Sequence, residues 1–117
     1  MKLSIIIPCY NEQSTIKEIV QKINLQKNIN KEIIIIDDNS SDRTREILEK
    51  EVRSEVNKIL FNDKNYGKGY SIRRGITKAE GDYILIQDAD LEYDPTDYHK
   101  LMKPIKNGFA DVVYGSR

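Results

Sequence analysis

The chain has one cysteine, one histidine, three prolines and no tryptophan, and its charges cancel, Lys plus Arg and Asp plus Glu each numbering 19. Cys9 alone cannot close an internal disulfide or build a cysteine cage for a metal, which fits a reducing compartment. Zero net charge leaves no global field toward nucleic acid or anionic lipid, although a local basic patch is still allowed. No apolar run approaches the roughly 18 residues that a membrane span needs. The first, Leu3 to Ile7, is too short for a signal-peptide core and meets Pro8 at once. No G-x-G-x-x-G follows a strand and no G-x-x-x-x-G-K-[ST] occurs, which sets aside the typical dinucleotide fold and the P-loop. The single His99 is read as a surface or packing residue.

What is present is an alternation of short β-branched runs and amphipathic stretches. The 117 residues suffice for one core and one domain. Leu3 to Ile7 reads as a strand ended by Pro8, which has no N–H for a ladder. Thr15 and Glu18 have capping-box spacing, and Ile16, Ile19, Val20 and Ile23 share one helical face, so a helix is expected from about Ser14 to Leu25. Glu32 to Ile36 is apolar on both faces, the pattern of a central parallel strand covered on each side. A second helix is expected from about Asp42 to Val52, then a short strand from Lys58 to Phe61. A further helix carries Ile72, Ile76 and Ala79, and Tyr83 onward forms a fourth strand. A helix from Pro95 to about Asn107 and a strand from Asp111 to Tyr114 close the pattern. Alternation without hairpin signals means a parallel sheet with helices on both faces.

In such sheets ligands bind outside the carboxyl ends of the strands. Every dense polar cluster falls there: Tyr10 to Glu12, Asp37 to Asp42, Asn65 to Gly69, Asp88 to Glu92 and Gly115 to Arg117. The fourth strand runs straight into Asp88-Ala89-Asp90-Leu91-Glu92. If extended geometry persists, the Asp88 and Asp90 side chains project together, with Glu92 close behind. Clustered carboxylates repel unless a cation sits among them, and hard oxygen ligands suit Mg²⁺ or Mn²⁺ with a diphosphate. Asp37 and Asp38 could accept hydrogen bonds from a base or a ribose. The structural alternatives are a solvated acidic turn at Asp88 to Glu92, turn or cap roles for Asp38, Ser41 and Asp42, and positive-φ turn positions at Asn65, Gly67 and Gly69. For Tyr10 the alternative is a partly buried aromatic.

The segments Ile5 to Glu12, Ile36 to Thr44, Asn65 to Gly69, Asp88 to Asp90 and Gly115 to Arg117, in this order and spacing, resemble the family 2 glycosyltransferases of GT-A fold. They are most similar to the dolichol- and polyprenol-phosphate sugar synthases. The resemblance covers essentially the whole chain and implies a Rossmann-like, mostly parallel sheet. It implies a nucleotide-sugar donor, UDP- or GDP-linked, and inversion at the anomeric carbon. By motif position, Pro8, Tyr10, Glu12, Ile36 and Asp38 would line the nucleoside pocket, with Asp88 and Ala89 against the donor. Asp88, Asp90 and Glu92 would hold Mg²⁺ or Mn²⁺, with Asp90 the main ligand. Glu92 stands where the family often has glutamine, so it adds a charge. Asp90 and Arg117 would act at the reacting phosphates.

The implied acceptor is a polyprenol or dolichol phosphate, at the cytoplasmic face of a membrane in a longer protein. Nucleic acid is not an expected partner. The chain stops just after a strand, so 1–117 is expected to be the nucleotide-sugar-binding part of a larger domain, binding donor with little turnover. Its acceptor site and membrane contacts would then lie after Arg117. Two other readings compete. One keeps the fold and transfers to a saccharide hydroxyl, which needs a general base. The other is a receiver-like, Mg²⁺-binding signalling domain, which would place an acid pair after the first strand.

Overall fold

The structure is a computed structural model that describes residues 2–89 and the strand at 112–114. Five strands form one all-parallel sheet: β1 (Leu3–Cys9), β2 (Lys31–Asp37), β3 (Lys58–Phe61), β4 (Tyr83–Ile86) and β5 (Val112–Tyr114). Their spatial order is β3-β2-β1-β4-β5. The chain therefore steps outward from β1 to β3, then crosses back to β4. That reversal opens a crevice between the carboxyl ends of β1 and β4. It also removes the receiver reading, because receiver-type sheets follow the order 2-1-3-4-5.

The isoleucine runs explain the layering. In β1 and β2, successive side chains alternate faces, and both faces are buried. Ile5, Ile7, Ile33, Ile35 and Leu85 pack with Ile16, Ile19, Val20 and Ile23 of α1 (Ile16–Asn24) and with Leu48 and Val52. Ile6, Ile34, Ile36 and Ile86 pack on the other face, against Ile72 and Ala79. This second face is covered by α3 (Lys68–Thr77), whose Gly75 lies directly on β1 and β2. A Cβ built there would come within 2.6 Å of Ile36 Cδ1 and 2.8 Å of Ile6 Cγ2. Glycine is what lets this helix lie so close.

Several boundaries differ from expectation. β1 does not stop at Pro8 but continues to Cys9. The reason lies in the two edges of that strand. Its pairing with β4 ends at Ile6 with Ile86, whereas its pairing with β2 runs on to Cys9 with Asp37. Ile6 O accepts from Gln87 N, on the β4 side, and Cys9 O accepts from Asp38 N, on the β2 side. Backbone groups alternate sides along a strand, so Pro8, like Ile6, faces β4, beyond the last paired residue. Its missing N–H falls where the ladder has already ended.

The first helix begins at Ile16, after Thr15, whose side chain makes no cap bond. The capping box does not form because the Thr15 hydroxyl is engaged elsewhere, with Ala89 O at 2.5 Å and Glu12 Oε2 at 3.2 Å. The second helix keeps close to its expected span but changes pitch within it. α2 (Thr44–Ile47) widens into a π-turn, Leu48–Val52, and tightens into a 3₁₀ turn, Arg53–Glu55. Gly67 has the expected positive φ, +101°, but Gly69 lies in the first turn of α3. The expected helix from Pro95 to Asn107 lies outside the described residues. Among those described, no helix is long and apolar enough to cross a membrane.

The amino ends of the strands are held by a buried polar group. Register partners Ser4 and Glu32 bond to each other, Ser4 Oγ donating to Glu32 Oε2 at 2.5 Å. Glu80 N donates to the same carboxylate at 2.6 Å, and Gly81 N to Ser4 Oγ at 2.8 Å. Lys58 Nζ lies 3.6 Å from Glu32 and 3.0 Å from Glu80. Four strands are thereby joined at the end opposite the crevice.

Candidate functional site

The carboxyl rim is assembled from three loops that reach one another through side chain to backbone bonds. After β1, Asn11 takes a positive φ of 54°, and its Oδ1 accepts from Ser41 N at 2.8 Å. Asn11 N donates to Ser40 Oγ, and Glu12 N to Thr44 Oγ1, each at 2.9 Å. Asp42 accepts from Thr44 N at 2.9 Å and Gln13 N at 3.3 Å, so it holds the first amide of α2 from two residues before the helix starts. Burial raises the Asp42 carboxyl, but the hydrogen bonds from Thr44 and Gln13 outweigh it and hold the group below the ordinary aspartate range. Asp37 is fully buried and serves the fold: it accepts from Ser40 N at 3.1 Å and Ser40 Oγ at 2.5 Å, with Arg45 Nε 3.9 Å away.

Asp38 does something different. Its carboxylate is 5% exposed and reaches the loop after β3. Oδ1 accepts from Asn62 Nδ2 and Tyr66 N, and Oδ2 from Gly67 N, all at 2.8 Å. Three donors leave room on Oδ2 for one more partner, so a ligand contact there is shared with loop anchoring. The next residue, Lys68, begins α3 and places Nζ 2.5 Å from Asp88 Oδ1. The segment Tyr66-Gly67-Lys68 thus spans the crevice from the β2 tip to the β4 tip. Those strands flank β1, so the tips stand about 10 Å apart by strand spacing. Thr15 closes the floor by donating to Ala89 O.

Of the residues singled out in the sequence, Pro8, Tyr10, Glu12, Asp38, Asp88 and Ala89 are brought to this rim by β1, β2 and β4. Tyr10 is 43% exposed beside the crevice, while Ala89 is buried. Ile36 is placed differently: its side chain is wholly buried under α3, against Gly75. Asp90, Glu92 and Arg117 lie outside the described residues. The sequence places Lys68 at the rim within the cluster Asn65 to Gly69, but not its pairing with Asp88, 20 positions away, and it reads Thr15 as a helix cap and not as part of the rim.

Among the described residues no group of three or more His, Cys, Asp or Glu could hold a metal ion. Asp88 is the one expected metal ligand that is described. It is a hard oxygen donor with a cationic group already against it, so positive charge is stabilised at this position. The residue present therefore fits one ligand of a divalent-cation site.

The family described as Glycosyl transferase family 2 matches residues 4–117. A dolichol-phosphate mannosyltransferase from Pyrococcus furiosus is 38% identical over 118 residues, covering 100% of this chain and 33% of that protein. An undecaprenyl-phosphate 4-deoxy-4-formamido-L-arabinose transferase from Salmonella choleraesuis is 37% identical, covering 96% of this chain and 36% of its own length. The chain thus spans about a third of the length of these relatives. Among solved structures, a Pyrobaculum calidifontis mannosyltransferase in complex with GDP-Man and Mn²⁺ superposes with a TM-score of 0.69 at 25% identity, covering 75% of this chain and 27% of that one.

Proposed function

The chain belongs to glycosyl transferase family 2, with the GT-A fold, and from that premise we propose that it supplies the donor half of an inverting transfer from a nucleotide-sugar to a polyprenol phosphate. The observation that carries the reading is the bridged crevice: Asp38 and Asp88, just past the tips of the strands either side of β1, are tied to one three-residue segment. The relatives named for dolichol-phosphate and undecaprenyl-phosphate transfer support the acceptor class.

In this reading the nucleoside lies over Pro8, Tyr10 and Glu12, with Asp38 at its base or ribose. The diphosphate lies toward Asp88 and Ala89. An acceptor phosphate oxygen bonds to the anomeric carbon from the face opposite the leaving group. The bond from that carbon to the diphosphate oxygen breaks, and its electron pair stays on the nucleoside diphosphate. A phosphate acceptor is already anionic at neutral pH, so no strong base must remove a proton. Charge on the leaving group is then the main demand on the site. Asp88, with Asp90 and Glu92, would hold Mg²⁺ or Mn²⁺, which supplies neutralisation of that charge without a proton. Asp90 and Arg117 are proposed to face the phosphates. The proposed place of work is the cytoplasmic face of a membrane.

Calorimetric titration with GDP and with UDP, each in Mn²⁺ and in EDTA, tests this. One nucleotide should bind in Mn²⁺ and lose at least about tenfold in affinity in EDTA or in the Asp88→Ala variant. Failure of both nucleotides to bind, or binding indifferent to Mn²⁺ and to Asp88, sinks the proposal.

A further inference from the structure

The stretch from Lys64 to Ala79, bounded by Asp63 and Glu80, holds five cations, Lys64, Lys68, Arg73, Arg74 and Lys78, so cations outnumber acids by five to two across it and its two flanking residues, in a chain whose charges balance overall. Folding alone does not ask for this. α3 starts inside the stretch with no acidic residue in its first turn, and with Lys68 as its first residue, which works against the helix dipole. Arg74 is spent on structure, donating to Phe61 O at 2.9 Å and Asn62 Oδ1 at 2.7 Å. Lys68 is taken by Asp88. Lys64 and Arg73 are exposed and form no ion pair among the described residues.

Two tyrosines stand among these cations. Tyr66 is 42% exposed and Tyr70 38%, and their rings stack at 4.2 Å between centroids. The Tyr66 hydroxyl donates to Asp63 Oδ1 at 2.7 Å, so the outer ring is held in place. Beside them Tyr70, Arg73, Arg74 and Thr77 line a shallow groove of about 270 Å³. The two tyrosines stand at the rim end of α3, near the tip of β3, and the groove runs from there along the helix toward Thr77.

We infer that this surface docks on an anionic lipid bilayer. The charge is complementary, and tyrosine, with an apolar ring and a polar tip, suits the headgroup layer. Single-stranded nucleic acid stacks its bases on free ring faces, and here each ring already gives one of its two faces to the other. Docking here would turn the crevice mouth toward the lipid surface. That purpose rests on the proposed lipid-phosphate acceptor, but the test below does not.

Flotation of the 117-residue chain with vesicles reads it directly. The chain should float with phosphatidylglycerol-containing vesicles, not with phosphatidylcholine alone, and binding should fall as salt rises. Lys64→Ala with Arg73→Ala should weaken binding about thirtyfold, roughly fivefold per cation. Tyr66→Ser with Tyr70→Ser should weaken it further at high salt, where only the rings contribute. Circular dichroism checks that the variants fold. If a variant does not, quenching of tyrosine emission by spin-labelled lipid in the unmodified chain replaces it, and quenching is expected. Absence of flotation, binding unchanged in the Lys64/Arg73 variant, or preference for a polyuridine oligomer over vesicles overturns the inference. Flotation without GDP or UDP binding would remove the transferase reading and leave this surface standing.

Discussion

Gly67 donates its backbone N–H to Asp38 Oδ2 at 2.8 Å, across 29 residues of sequence. With Tyr66 N and Asn62 Nδ2 on the other oxygen, one buried carboxylate fixes where α3 begins. Asp38→Ala would strand these donors. The expected loss is about 2–4 kcal/mol of stability by urea unfolding, with faster amide exchange at Tyr66 and Gly67. Asp38→Asn keeps one oxygen and should lose less. A change below about 0.5 kcal/mol in the alanine variant would show that the loop does not depend on it.

Glu32 predicts a pH dependence. Burial raises its carboxyl, but the hydrogen bonds from Glu80 N and Ser4 and the charges of Lys58 and Lys2 more than offset this, so its pKa in the fold is lowered. A lowered folded value means the stabilisation is present above the unfolded pKa and fades as pH falls through the folded one. Glu32→Gln should cost about 2 kcal/mol near neutral pH, and the gap to the unmodified chain should shrink at acid pH, below the ordinary glutamate range near 4.3. A gap that stays constant into strong acid would contradict the assignment.

Cys9 should be chemically silent. Burial first, and the Asp37 charge second, push its thiol well above the usual range, and its Sγ lies 3.9 Å from Asp37 Oδ1. Thiol reagents need the thiolate. Labelling in native buffer should therefore be slow and should accelerate with urea in step with unfolding. Rapid stoichiometric labelling of the folded chain would rule this out.

Gly75→Ala should destabilise by about 1–3 kcal/mol, despite the better helix propensity of alanine, because the new methyl meets Ile36 and Ile6. Ile36→Val removes the Cδ1 atom at the nearest contact. The double variant should therefore recover part of the loss, and strictly additive effects would argue that the two sites do not touch.

Much of the architecture was legible because it is local. The runs Leu3 to Ile7 and Glu32 to Ile36 state their own burial, and the alternation of strands and helices implies a parallel sheet. The polar clusters could be assigned to one rim from topology alone. What could not be read is long-range and polar. Nothing near Asp38 says that its partners are amides in another loop, and nothing near Thr15 says that its hydroxyl will leave the helix end for Ala89. The Ser4 and Glu32 pair did leave a trace, as two polar residues starting otherwise apolar strands, but its meaning appears only with the register. Pro8 misled because the usual rule treats a strand as having one kind of edge.

Pro8 also has a consequence for what the crevice can become. A gap between two strand tips invites any passing backbone to zip it shut, since each side offers a row of hydrogen-bonding groups. On the β1 side that row is broken at the first position past Ile6, by a residue with no hydrogen to give. A polypeptide wedged there would find one partner missing, whereas a small molecule that brings its own polar groups would lose nothing.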